Sequence, residues 1–221
     1  MSSPAILKPQ FPSPIGGVLA EELRRIKDLL DKHLLQYTQT ITFDQDAGGQ
    51  GVTDGTVVDT LYQTLGCTLT FIPTPKGTVL GTHVYARSIN SHSAPNSISP
   101  VAAPAIITCI DDSWGQMKAS FANPVSGVTV YARPMLSPEC LGSVTARPYL
   151  RAYDAQNNLV SEAFYPLQYG NSSWGTYQPL SVTSSSNNIA YVKFSSEYHD
   201  GAQVYALFDD LAFTIKAVPL P

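Results

Sequence analysis

The sequence predicts an all-β sandwich of about ten strands behind a single amphipathic α-helix. Two observations lead there. From Gln39 onward apolar residues recur at period two in short runs, and each run is closed by a cluster of Pro, Gly, Asn or Ser. Before that point the apolar residues recur at helical period instead. Short strands with frequent turn signals, and no helices between them, argue for a sandwich rather than for βαβ units.

In chain order, residues 1–17 form a Pro/Gly/Ser-rich arm that reads as extended. Residues 18–38 read as the helix. Leu19, Leu23, Ile26, Leu30, His33 and Tyr37 follow one another at spacings of 4, 3, 4, 3 and 4, and no Gly or Pro interrupts them from Val18 onward. Such a stripe packs on its own domain or joins copies of the chain. In the second case Leu19, Leu23, Ile26 and Leu30 are the oligomerisation candidates. Residues 39–217 form one β-sandwich domain without an internal repeat. Its strand candidates are ITF, CTLTFI, THVYAR, AIITCI, QMKASFA, GVTVYAR, TARPYLRAYD, NLVSEAFY, TYQPLSV, IAYVKFS and QVYALFDDLAFTI. SHSAPNSISP reads as a long loop. DAQNN, between Tyr153 and Leu159, reads as a tight hairpin turn, because Asp and Asn tolerate left-handed backbone. By alternation Ala190, Val192 and Phe194 share one face of their strand, and Tyr191, Lys193 and Ser195 the other.

The 221 residues carry 13 Lys and Arg against 17 Asp and Glu, a net charge of −4. Charged residues are 14% of the chain, against roughly 25% in an average domain. Eight of the 30 charges fall between Val18 and Tyr37. There is no basic excess for nucleic acid and no apolar run long enough for a membrane span. Surface solvation by Ser, Thr, Asn and Gln suits an extracellular or virion-associated protein, although the N-terminus has no Sec-type apolar region. Cys67, Cys109 and Cys140 are too few and too scattered for a disulfide framework or a zinc site. Cys67 and Cys109, in the apolar runs GCTLTF and IITCI, read as buried thiols.

In the last strand Leu207, Leu211, Phe213 and Ile215 fall on one face by simple alternation, and Asp209 falls with them. A carboxylate on an apolar face needs a cation, an Arg or several backbone N–H groups, unless a bulge has shifted the face. The FDDLAF ending resembles the terminal strand of galactose-binding-like jelly rolls. ITFDQDAGGQGV, LYQTLGCTLTF, MKASFANPVSGVTVYA and YLRAYDAQNNLV follow the order found in carbohydrate-binding-module-like domains of bacterial exoproteins. The resemblance covers residues 40–215 and implies a jelly-roll β-sandwich. It also implies a structural calcium between the first and last strands, with Asp44 and Asp209 as ligands and oxygens from Asp46 or the 48–51 loop completing the shell.

Sugar-binding surfaces combine flat aromatics with hydrogen-bonding side chains. The densest such segment, YPLQYGNSSWGTYQP, offers Tyr169, Trp174 and Tyr177, and DDSWGQ offers Asp112 and Trp114. His199 beside Asp200 reads as a solvated hairpin tip. No GxSxG, Walker, HExxH or GxGxxG pattern is present, and Glu139, Glu162 and Glu197 are scattered along the chain, with no paired acid evident. The sequence therefore points to a non-catalytic glycan-binding module. The alternative is an oligomeric structural subunit of an extracellular or virion-like assembly, joined through arm and helix.

Overall fold

The computed structural model describes residues 21–26, 36–73, 82–88, 91–100, 115–134, 147–165, 176–197, 203–204 and 206–216. Residues 21–26 are helical, with Leu23 and Ile26 exposed. Leu19 and Leu30 lie outside the described residues, as do the arm and the strand expected at 105–110. Among the described residues no helix is long and apolar enough to cross a membrane.

The strands among the remaining described residues form two antiparallel sheets, and Gln63–Leu65 is a short 3-10 helix. The first holds β3 (Tyr85–Arg87), β4 (Ser97–Ser99), β12 (Ala206–Lys216), β6 (Gly127–Pro134) and β9 (Gln178–Thr183), in that order, with β1 (Gln36–Ile41) also paired to β12. The second holds β2 (Cys67–Ile72), β5 (Gln116–Val125), β10 (Ile189–Glu197), β7 (Arg147–Tyr153) and β8 (Leu159–Phe164), with β11 (Gln203–Val204) also paired to β10. The alternation read from the sequence is what the strands carry out. Val128, Val130 and Ala132 are buried on β6, and Val192 and Phe194 on β10; Ala190, expected on their face, is only partly buried, and Ile189 takes the core position instead where the register to β5 shifts. Phe194 meets Phe208 edge-on across the sandwich at 5.0 Å. Each fully buried large apolar side chain contributes roughly 1.5–3 kcal/mol. Cys67 is buried as expected, and burial pushes its thiol up to about 12.

Two strand prolines fall where a ladder tolerates them. Pro179 is on the edge strand β9, and Pro124 is in the stretch of β5 where the register to β10 shifts between Ile189 and Tyr191. The DAQNN turn forms as read. The Asp154 carboxylate accepts from the N–H groups of Gln156 and Asn158 at 2.9 and 2.8 Å, and Asn157 takes a φ of 66°.

Boundaries differ from the sequence reading in three places; the run QVYALFDDLAFTI, expected as one strand, is two, β11 paired in the second sheet and β12 in the first. Residues 36–38, expected at the end of the helix, already belong to β1. QYTQTI is rich in β-branched and aromatic residues and pairs with β12, which overrides the short continuation of the helical stripe. Part of the expected loop SHSAPNSISP is strand β4, pairing with β3 and β12. With three residues and one apolar side chain, it carries no readable alternation of its own.

Candidate functional site

Asp209 is fully buried, but not on the face expected. Opposite β6, Asp209 pairs with Tyr131 and Ala212 with Thr129, so β12 holds one residue more than its partner. This bulge, with Asp210 at φ 48°, shifts the alternation. Phe208 before the bulge and Leu211 and Phe213 after it belong to the core, with Ile215 packed against it, whereas Leu207 and Asp209 pair with Arg133 and Tyr131 on the opposite face. The expectation that Leu207 shares a face with Leu211 and Phe213 is thereby corrected.

Segment 92–96 covers that carboxylate. The N–H groups of His92 and Ser93 donate to Asp209 Oδ2 at 2.8 and 2.9 Å, and the N–H of Asp210 donates to Oδ1 at 2.8 Å. The same segment reaches Asp44, whose Oδ1 accepts from the N–H of Asn96 at 2.8 Å. The Asn96 amide donates in turn to the carbonyls of Phe43 and Val52. Both acids named as metal candidates are thus brought onto one short segment. Burial, with the charge of Asp210, pushes Asp209 up to about 7 against the pull of its N–H donors.

The surroundings of Asp209 are those of a carboxylate answered by N–H groups rather than by a cation. Calcium requires six to eight oxygens aimed inward, whereas Asp209 meets N–H groups on both of its oxygens. The nearby orphan, the buried hydroxyl of Tyr62, is a phenol rather than a carbonyl or carboxylate. Among the described residues no three His, Cys, Asp or Glu side chains are grouped to hold a metal. Asp46 spends its Oδ1 on the N–H groups of Gly48 and Gln50 within its own turn.

Of the expected ligand residues, Trp174, Tyr169, Trp114 and Asp112 lie outside the described residues, as do His199 and Asp200. Tyr177 is described. Its ring is 5.6 Å from that of His92, which stacks on Tyr131 at 3.8 Å, and His92 Nδ1 lies 2.6 Å from Asp210 Oδ2.

A larger array lies on the outer face of the second sheet. Alternation turns Lys118, Ser120, Arg151, Tyr153, Tyr191 and Lys193 away from the core, and register places them in two rows. Ser120, Tyr191 and Tyr153 are opposite one another, and Lys118, Lys193 and Arg151 are opposite one another in the next row. Tyr153 and Tyr191 stack at 5.1 Å with planes 11° apart, and the Tyr191 hydroxyl donates to Asn157 Oδ1 at 2.9 Å. Lys118 Nζ lies 4.2 Å from the centre of the Tyr191 ring, and Lys193 Nζ lies 5.1 Å from that of Tyr153.

Arg151 anchors the charged row. Its Nη2 and Nη1 donate to the two carboxylate oxygens of Glu197 at 2.6 and 3.1 Å, and its Nε donates to Glu162 at 3.3 Å. The guanidinium is also 4.3 Å from the Tyr149 ring centre. Burial opposes the charge on Arg151, but the hydrogen bonds and charge of Glu197, with Glu162, outweigh it and hold the pKa above its ordinary value. Side-chain exposures of 25% for Arg151, 19% for Glu197 and 43% for Glu162 leave this network open to solvent on one side.

Glu162 and Glu197 looked scattered in sequence; the fold brings them to one guanidinium. The sequence did mark Tyr191 and Lys193 as outward-facing. Lys118, Arg151 and Tyr153 join them only through strand register, which a single strand does not reveal.

No family model matches the chain, and no curated protein does. Among solved structures the chain is similar to carbohydrate-binding modules. One is the CBM22-1–GH10 portion of Clostridium thermocellum xylanase 10B complexed with xylohexaose, at 10% identity and a TM-score of 0.37. The similarity covers 69% of this chain and 30% of that one. A second is the CBM22-1 xylan-binding domain of Paenibacillus barcinonensis Xyn10C, at 10% identity and TM-score 0.35, over 81% and 95% of the two chains. A DUF4465 family protein from Bacteroides caccae is similar at 12% identity and TM-score 0.39, over 81% of this chain and all (100%) of that one.

Proposed function

We propose that this chain is a non-catalytic carbohydrate-binding β-sandwich whose ligand lies along the outer face of the second sheet, across β5, β10, β7 and β8. The observation that carries this reading is Arg151 held between Glu197 and Glu162 beside the Tyr153–Tyr191 pair. A sugar edge offers hydroxyl groups that both donate and accept. It is best met by fixed donors and acceptors side by side, with apolar surface adjacent for its C–H groups. Here the donor and both acceptors are set by one another before any ligand arrives, which reduces the ordering cost of binding.

The same pairing disfavours hydrolysis. A glycosidase needs one carboxylic acid kept protonated opposite a second carboxylate. Glu162 and Glu197 are instead both engaged by one guanidinium, that of Arg151. The tyrosine pair offers little open stacking plane. The rings face each other, and the strand order puts Lys118 on the far side of Tyr191. Recognition therefore rests on hydrogen bonds and charge more than on stacking. Affinity electrophoresis through gels containing xylan, mixed-linkage glucan, pectate or dextran tests the reading. Retardation by at least one polysaccharide that is lost in Arg151→Met and Tyr153→Ala, with melting monitored in parallel, is expected. Free migration of the wild-type protein in every gel overturns it.

A second reading, self-association as a structural subunit, draws on the exposure of Leu23 at 65% and Ile26 at 46% in the helical segment.

A further inference from the structure

Lys118 and Lys193 are direct cross-strand partners, with Arg151 opposite Lys193 on the other side. Three cations thus stand in one row across β5, β10 and β7. Like charges directly opposite in a sheet are destabilising. At the β7 end of the row the charge is answered, because Glu197 and Glu162 bind Arg151. At the β5 end it is not. Among the described residues neither lysine is within ion-pairing distance of a carboxylate, and both ammonium groups lie over tyrosine rings instead. Ring faces attract a cation but leave its positive charge uncompensated. Neither lysine is fully exposed, so the repulsion between them is less screened than at an open surface.

A chain with a net charge of −4 therefore keeps a positive pair at the centre of its outer sheet face. A ligand carrying one negative group at that point would relieve the repulsion and gain two charge-assisted contacts. We infer that the glycan bound on this face is acidic, with a carboxylate or sulfate group seated between Lys118 and Lys193 and neighbouring hydroxyls on Arg151, Glu197 and Glu162. The inference rests on the carbohydrate reading of this face and names the substrate class. Glu162 and Glu197, at one end of the row, disfavour a uniformly anionic surface such as a nucleic-acid backbone. They favour a polymer whose anionic groups are set among hydroxyl groups.

The experiment compares pectate (carboxylate), dextran sulfate (sulfate), and dextran and xylan (neutral) by affinity electrophoresis and calorimetry. The proteins are the full wild-type chain, Lys118→Met, Lys193→Met and the double variant. Pectate or dextran sulfate is expected to bind at least about tenfold more tightly than the neutral polymers, a difference of about 1.4 kcal/mol. Which of the two binds identifies the anionic group. The preference is expected to vanish in the double variant and to weaken as salt rises. Melting of that variant is expected to be unchanged or higher, because its substitutions remove a repulsive pair; this separates lost binding from lost folding. Equal binding of neutral and acidic polymers overturns the inference and leaves the carbohydrate reading standing. Acid-selective binding that survives in the double variant overturns the assigned site. Binding to none of the polymers overturns both.

Discussion

Replacing Asp209 by Ala gives a stability change that can be worked out from the structure, sign and pH dependence included. The side chain answers three backbone N–H groups, those of His92, Ser93 and Asp210, at 2.8–2.9 Å in a fully buried position. A buried donor left without a partner costs about 1–3 kcal/mol. Allowing for some relaxation of segment 92–96, Asp209→Ala should destabilise by about 3–5 kcal/mol where the native side chain is neutral. The wild type is itself pH-dependent here. Burial, then the charge of Asp210, raises Asp209 from its ordinary 3.8 to about 7. The folded state thus holds a proton that the unfolded state has released. That contribution is full below about pH 4 and is lost as pH rises through about 7. At 1.36 kcal/mol per pH unit the loss is at most about 4 kcal/mol. The penalty of Asp209→Ala should therefore be full below about pH 4, still larger at pH 5 than at pH 8, and level above about pH 7. Urea unfolding of both proteins at pH 5 and pH 8, with equal m-values, measures it. A penalty below about 1 kcal/mol at pH 5, or one that grows with pH, would refute the reasoning.

Further outcomes follow from the same contacts. Exhaustive chelation should leave the melting temperature unchanged, because N–H donors answer Asp209; a fall of several degrees on chelation, restored by calcium, would show an ion there. Asn157→Val should destabilise by roughly 1–2 kcal/mol in thermal unfolding, since a β-branched residue resists the φ of 66° and the Tyr191 hydroxyl loses its acceptor. Asn157→Gly should cost less; equal costs would dismiss the backbone contribution. Light scattering of the full chain against a chain beginning at Gln36 tests self-association through Leu23 and Ile26. A mass that falls to that of one chain on truncation supports it, and an unchanged mass removes it.

What the sequence made legible was whatever one strand carries by itself. The period-two runs of β2, β6 and β10, and the DAQNN turn, needed no partner to be recognised. The FDDLAF carboxylate stands out in the sequence as an acid in need of compensation, and backbone N–H groups supply it. Its face was not legible, because the bulge at Asp209–Leu211 is defined against β6 and simple alternation cannot register an extra residue. β4 escaped because three residues cannot display a period. The row of Lys118, Lys193 and Arg151 escaped because its members are 75 and 42 residues apart along the chain, counting from Lys118 to Lys193 and from Arg151 to Lys193. Each looks like an ordinary solvated position until register sets it beside the others. Aromatic loops stand out in the sequence because a Trp in a turn is visible locally, whereas a polar sheet face exists only after pairing.

The most direct measurement is the dissociation constant of the folded wild-type chain for a panel of soluble polysaccharides, set beside that of Arg151→Met under the same conditions. The account predicts saturable binding to at least one polysaccharide and a loss of about tenfold or more in the variant. Binding that is absent from the wild type, or unaltered when Arg151 is replaced, contradicts the assignment of this sheet face as the ligand surface.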